Sequence, residues 1–249
     1  MPATDAPSER SRRPPGPDPT RPNPHGGPSS RGTPEEARVI EIFADVLCPW
    51  CYIGKRRLAA ALAQIPDRDR DRTRTVWRGY ELAPEQGRTP GRTAAEAMAE
   101  WWADQAPARI ARIHALDLAE GLELNLHLAR PVNTFDAHRL CRLAAGHGVA
   151  DDMMERLLRA YHTEGLDIAD AGTLERLGVE AGLDGADVRA LLAGAAHADD
   201  VRADERRAVA YGVTGVPALV IDGWPPVSAV QSPKELRRLV DDRLAARAG

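Results

Sequence analysis

Residues 38–65 read RVIEIFADVLCPWCYIGKRRLAAALAQI, an apolar β-branched run that gives way within a few residues to a segment of helical period. RVIEIFAD predicts a buried strand, short and rich in β-branched residues. From Cys51, Ile53, Leu58, Leu62 and Ile65 fall on or near one face of a helix that Pro66 stops. Two cysteines three apart, Cys48 and Cys51, therefore occupy the turn where a strand hands over to a helix. Such a pair can close a disulfide, hold a metal or pack in a core, and the rest of the chain has to discriminate.

A second strand is predicted over 75–82, TVWRGYEL, with Val76, Tyr80 and Leu82 on one parity and Trp77 on the other. Between about 92 and 212 the pattern is helical, punctuated by Pro107, Gly121, Pro131, Gly146, Gly165, Gly182 and Gly194, which leaves room for five or six helices. One follows RPVNT, where Asn133 or Thr134 can cap FDAHRLCRLAAGHG; others cover roughly 151–163, 171–181, 184–193 and 197–211. Strand character returns in VPALVID (216–222) and PPVSAV (225–230), and a last helix starts at Ser232 or Pro233. No internal repeat is evident. The order β, α, β, helical block, β, β, α predicts an α/β chain, one sheet domain interrupted by an all-helical insertion.

Several classes of function are disfavoured by composition. A formal charge of −4 offers no basic field for a phosphate backbone, so no nucleic-acid partner is expected. No apolar run approaches the roughly 18 residues that span a bilayer, so no membrane association is expected either. Residues 1–36 hold ten of the twenty prolines and no Val, Leu, Ile, Phe, Trp or Tyr up to residue 35, which predicts a disordered Pro/Arg-rich tail. The tail has no apolar h-region of a secretory signal, and a cytoplasmic location is expected. In a reducing compartment three cysteines argue against a structural disulfide framework.

At a helix N-terminus the unpartnered N–H groups and the dipole favour an anion, and a thiolate is one. Cys48, first in the turn, is therefore the candidate nucleophile. Cys51 is close enough to close a disulfide with it and better covered by the helix. Pro49 suits the first helical turn, and Trp50 can shield the thiols or offer an apolar surface to substrate. The rival is zinc: CPWC with His138 and Cys141 supplies four ligands, but no second CxxC knuckle exists, and no metal site is expected. Cys141 reads as a small core residue, Asp45 as a strand end, and Trp101 and Trp102 as packing between helices that could also line a substrate groove.

Near the other end stands GVTGVPALVIDG, with Pro217 between a helix and a strand. Strand, CxxC, helix and a Val-Pro before a hairpin together resemble the thioredoxin fold, and the helical block between resembles the DsbA superfamily. DVLCPWCYIGKRRL (45–58), NTFDAHRL (133–140), YHTEGLDIAD (161–170) and GVTGVPALVIDG (212–223) resemble its cytoplasmic FrnE-like branch. WPPVSAVQS departs from the branch's usual pattern, with Ala229 and Val230 where Gly-Ala is common.

The resemblance implies a thioredoxin-like fold split into 37–85 and 206–249 around a helical insertion at 86–205. It further implies a thiol–disulfide oxidoreductase with thiol or disulfide substrates and no cofactor. Cys48 would attack, Cys51 resolve, and Pro217 be the cis-proline, with Val216, Pro49, Trp50 and His138 on the substrate side. The same superfamily includes 2-hydroxychromene-2-carboxylate isomerases and kappa-class transferases, which commonly carry Ser in place of Cys48, so a glutathione-type isomerase or transferase, or a polyketide-pathway isomerase, is the alternative expectation.

Overall fold

The computed structural model describes residues 38–245; the expected tail, 1–36, lies outside them. Strand β1 (Arg38–Ala44) leads through a short turn into α1 (Pro49–Leu62), then a single turn α2 (Asp67–Arg70) and β2 (Thr73–Gly79). The helical block comprises α3 (Ala94–Trp102), α4 (Ala106–Ala119), α5 (Phe135–Gly146), α6 (Ala150–His162), α7 (Ala171–Glu180), α8 (Gly185–Ala193) and α9 (Ala198–Tyr211). Strands β3 (Ala218–Ile221) and β4 (Val227–Ser228) and helix α10 (Pro233–Ala245) complete the chain.

The sheet runs β2-β1-β3-β4, with β1 parallel to β2 and antiparallel to β3, and β3 antiparallel to β4. Both faces of β1 are covered, which is why its sequence is an almost unbroken apolar run. Ile40, Ile42 and Ala44 join the large core that includes Ile53 and Leu58 of α1 and Leu236 and Val240 of α10. On the opposite face Phe43 packs with Ala218, Val220 and Ala208 of α9. Glu41 shares that face, 3 % exposed, and its cost of burial is offset by Arg78 and Arg207, whose Nε atoms donate to its carboxylate at 2.7 and 2.6 Å. Burial pushes the Glu41 pKa up, but the two guanidinium groups outweigh it and hold the carboxyl below its ordinary value.

Helix α1 begins at Pro49, in the first helical turn as the sequence reading has it, because a proline at N1 forfeits no helical hydrogen bond. Several other boundaries differ from that reading. Strand β2 occupies 73–79, not 75–82, and its buried members are Trp77, opposite Ile42, and Gly79. Seven α-helices rather than five or six form between 92 and 212 among the described residues. Ala103 takes φ 45°, which no continuous helix accommodates, and so divides α3 from α4. Thr134 is the N-cap of α5 without a side-chain bond, while Asn133 Oδ1 accepts from the Phe135 N–H at 3.1 Å. Helix α9 crosses the expected boundary at 205/206, since its Ala208 belongs to the sheet layer.

Candidate active site

Cys48 is the N-cap residue of α1, with extended backbone (φ −86°, ψ 111°), and Pro49 follows as the first helical residue. A turn holds it there: the Cys48 N–H donates to the Asp45 carbonyl at 3.2 Å, and the Cys51 N–H to the Cys48 carbonyl at 2.9 Å. Both are free thiols, 4 % and 1 % exposed. The Cys48 thiol donates to the Val216 carbonyl at 3.6 Å. Burial first, then the hydrogen bond and charge of neighbouring Cys48, push the Cys51 thiol well above its ordinary pKa. One thiol thus faces the site and the other is kept protonated behind it.

The Val216–Pro217 peptide is cis. What lets α1 lie against it is Gly54: a Cβ there would stand 2.9 Å from Pro217 Cγ and 3.1 Å from Ala229 Cβ. Ala229, one of the two departures from the family pattern, is buried and donates its N–H to the Pro217 carbonyl at 3.1 Å. Val230 contributes its carbonyl, which accepts from Arg57 Nη1 of α1 at 2.6 Å. The hairpin therefore forms with these residues in place, pairing Ala218 with Ser228 and Leu219 with Val227.

Behind the thiols lies a group of buried polar side chains. Asp45 is fully buried; its Oδ2 accepts the Leu82 N–H at 2.7 Å and its Oδ1 lies 3.4 Å from His138 Nε2. Burial pushes His138 down, but the Asp45 carboxylate, with Glu81 and Asp204 beyond, outweighs it and lifts the imidazole above its ordinary value. His162, the last residue of α6, is also fully buried. Burial drives it down to about 4 despite the nearby Val46 and Cys48 carbonyls, so it is neutral at physiological pH. Neither ring nitrogen makes an aligned hydrogen bond. The ring packs edge-on against Tyr161, centroids 4.8 Å apart, whose buried hydroxyl is likewise without a hydrogen-bond partner.

On the open side of Cys48 is a cleft of about 300 Å³ lined by Leu47, Cys48, Pro49, Trp50, Leu82, Ala83, Ala94, Met98, Trp101, Trp102, Pro131 and Tyr161. The start of α1, the segment after β2 and helix α3 of the insertion form its walls.

Of the residues singled out in sequence, Cys48, Cys51, Pro49, Trp50, Val216 and Pro217 meet around this junction. His138 does not line the cleft: it is 1 % exposed and stands behind the thiols, where Gly79 admits its ring at 3.1 Å from the place of a Cβ. Asp45 is more than a strand end, because the chain turns its carboxylate inward to hold the Leu82 backbone. Trp101, read as packing between helices or lining a groove, is 62 % exposed and lines the cleft. Cys141 is a core residue whose thiol burial pushes up to about 12. Among the described residues no group of three or more His, Cys, Asp or Glu side chains is arranged to hold a metal ion, and no helix is long and apolar enough to cross a membrane. Gly54, Tyr161 and His162 were not picked out individually. The YHTEGLDIAD stretch contained the last two, but nothing local distinguishes them from ordinary helix-end residues.

Comparisons with known proteins identify the family and the fold. No curated protein matches the chain. Among solved structures, a probable DsbA oxidoreductase from Streptomyces coelicolor is 35 % identical, with TM-score 0.78 over 84 % of this chain and 90 % of that one. A cytosolic disulfide reductase, DsbM, from Pseudomonas aeruginosa matches with TM-score 0.57 and 20 % identity over 84 % and 99 % of the two chains; it also has a structure with GSH. A 2-hydroxychromene-2-carboxylate isomerase matches with TM-score 0.61 and 15 % identity over 84 % and 97 %. The last two likenesses concern the fold alone. The family described as DSBA-like thioredoxin domain matches residues 39–241, nearly the whole described chain, and the protein belongs to that family.

Proposed function

We propose that this chain is a cytoplasmic thiol–disulfide oxidoreductase of the FrnE-like kind, working through the Cys48–Cys51 dithiol on protein or low-molecular-weight thiols and disulfides. The observation that carries the reading is the pairing of two free thiols at the start of α1, with Cys48 at the N-cap and 3.6 Å from the Val216 carbonyl beside cis-Pro217.

In the reducing direction the Cys48 thiolate attacks a substrate disulfide, forming a Cys48–substrate disulfide and releasing one substrate thiolate. The Cys51 thiolate then attacks Cys48 Sγ, releases the second substrate thiolate and leaves a Cys48–Cys51 disulfide. Two electrons pass to the substrate, and the reverse sequence oxidises a dithiol. The electrons come from thiols, so no bound cofactor is needed. The hydrogen bond and charge of Cys48 are among the causes that hold Cys51 protonated, and both vanish once Cys48 is in a mixed disulfide. Burial, the largest cause, stays in place, so the mixed disulfide removes part of what holds Cys51 protonated and brings its thiol closer to attack. Val216, freed from the Cys48 thiol, offers its carbonyl to the substrate segment. Pro49 and Trp50 cover the pair, and His138 acts from behind as a positioning residue through Asp45.

The isomerase alternative draws on likeness of fold, whereas cysteine at both positions favours redox chemistry. The test is equilibration of wild type and Cys51→Ser in a glutathione redox buffer, followed by mass spectrometry. The expected result is a reversible two-electron couple in wild type and a glutathione adduct on Cys48 in the variant. Thiols that never equilibrate would overturn the reading.

A further inference from the structure

The cleft beside Cys48 has walls that select among disulfides. Its volume, about 300 Å³, falls at the lower end of small-molecule sites. Three indoles, Trp50, Trp101 and Trp102, line it together with Met98 and Leu82, and no acid, amide or basic side chain does. The Tyr161 hydroxyl, on a residue 1 % exposed, has no hydrogen-bond partner. Two of the indoles are held by cations: the Arg112 guanidinium lies 5.7 Å from the Trp50 ring centroid and Arg109 lies 5.1 Å from that of Trp102. Trp101 and Leu82 remain 62 % and 47 % exposed at the mouth, apolar surface that a ligand would cover.

A peptide in this cleft would bring a carbonyl and an N–H with each residue, and the walls offer few partners for them; leaving such groups unpaired is costly. A flat ring brings none of these and stacks on indoles. We propose that the cleft binds a low-molecular-weight aromatic thiol or disulfide, its ring among the three indoles and its sulfur at Cys48. This rests on the dithiol reading. Cys48 thiolate attacks the aromatic disulfide, one aromatic thiolate leaves, and Cys51 displaces the second as the Cys48–Cys51 disulfide forms.

The test uses the full chain carrying Cys51→Ser, so that reaction stops at the mixed disulfide on Cys48. Its rate is measured with 2,2′-dithiodipyridine, 2-hydroxyethyl disulfide and insulin, with and without Trp101→Ala or, separately, Leu82→Ser. Both side chains are substantially exposed, so neither change threatens the fold. Each probe is compared with itself across variants, and intrinsic reactivity cancels. Loss of either wall contact, the Trp101 indole or the Leu82 side chain, should slow dithiodipyridine about five- to tenfold while the other two probes change less than twofold. Equal slowing of all three probes, no slowing of any, or slowing confined to insulin would overturn the proposal. Failure of the Cys51→Ser protein to react with any probe would instead overturn the oxidoreductase reading on which it rests.

Discussion

Gly54→Ala tests the packing that brings Cys48 to Pro217. In a helix interior this exchange ordinarily stabilises by about 1 kcal/mol, because alanine loses less backbone entropy. Here the new Cβ would lie 2.9 Å from Pro217 Cγ, 3.1 Å from Ala229 Cβ and 3.4 Å from Pro217 Cβ, against the roughly 3.5–4.0 Å of relaxed carbon contacts. Neither neighbour yields easily. Pro217 is a ring, and Ala229 carries its Cβ on backbone tied to the Pro217 carbonyl. Overpacking of this kind costs about 1–3 kcal/mol, so the expected net effect is a loss of about 1 kcal/mol. Gly146→Ala, at the end of α5 with nothing within 4 Å of its Cβ, is the control and should gain roughly 0.5 kcal/mol. Urea unfolding should therefore separate the two variants by about 1.5 kcal/mol. Displacing α1 also moves Cys48 from Val216, and the rate of mixed-disulfide formation should fall at least about tenfold. Equal stabilities and an unchanged rate would refute the tight packing of α1 on Pro217.

Two further predictions concern the buried histidines. His162 is neutral when folded, with a pKa near 4 against the ordinary 6.5, so its contribution to stability is present above about 6.5 and is lost as pH falls towards 4. That loss amounts to about 3 kcal/mol and should be absent in His162→Phe; parallel urea midpoints for the two proteins between pH 7 and 4 would rule it out. His138 has the opposite sign: its raised pKa gives a contribution that is full below the ordinary value and declines as pH rises through the folded one. In Asp45→Asn the strongest upward pull disappears while burial stays, so the His138 midpoint should move down by NMR; an unmoved midpoint would contradict this.

The elements that carry the thiols were legible in the sequence because their causes are local. A β-branched run makes β1 wherever it is buried, Pro49 fits only the first turn of a helix, and two cysteines at i and i+3 share a helical face. The return of strand character after Val216-Pro217 is local in the same sense. The partners were not legible. Gly54 is an ordinary helix residue until Pro217 and Ala229, more than 160 positions away, arrive against it. Asp45 passes for a strand end until the chain turns its carboxylate onto Leu82 and His138. Trp101 reads equally as a packed helix residue or as a groove wall until the fold leaves it 62 % exposed on the cleft. Contacts within a few residues specify the dithiol turn, its helix and the strand character of β1, whereas the sheet itself joins Ile40 to Ile221 from opposite ends of the described chain. Tertiary structure alone decided what surrounds the dithiol, because burial, charge and cleft shape there are set by segments that meet only once the insertion has folded against the sheet.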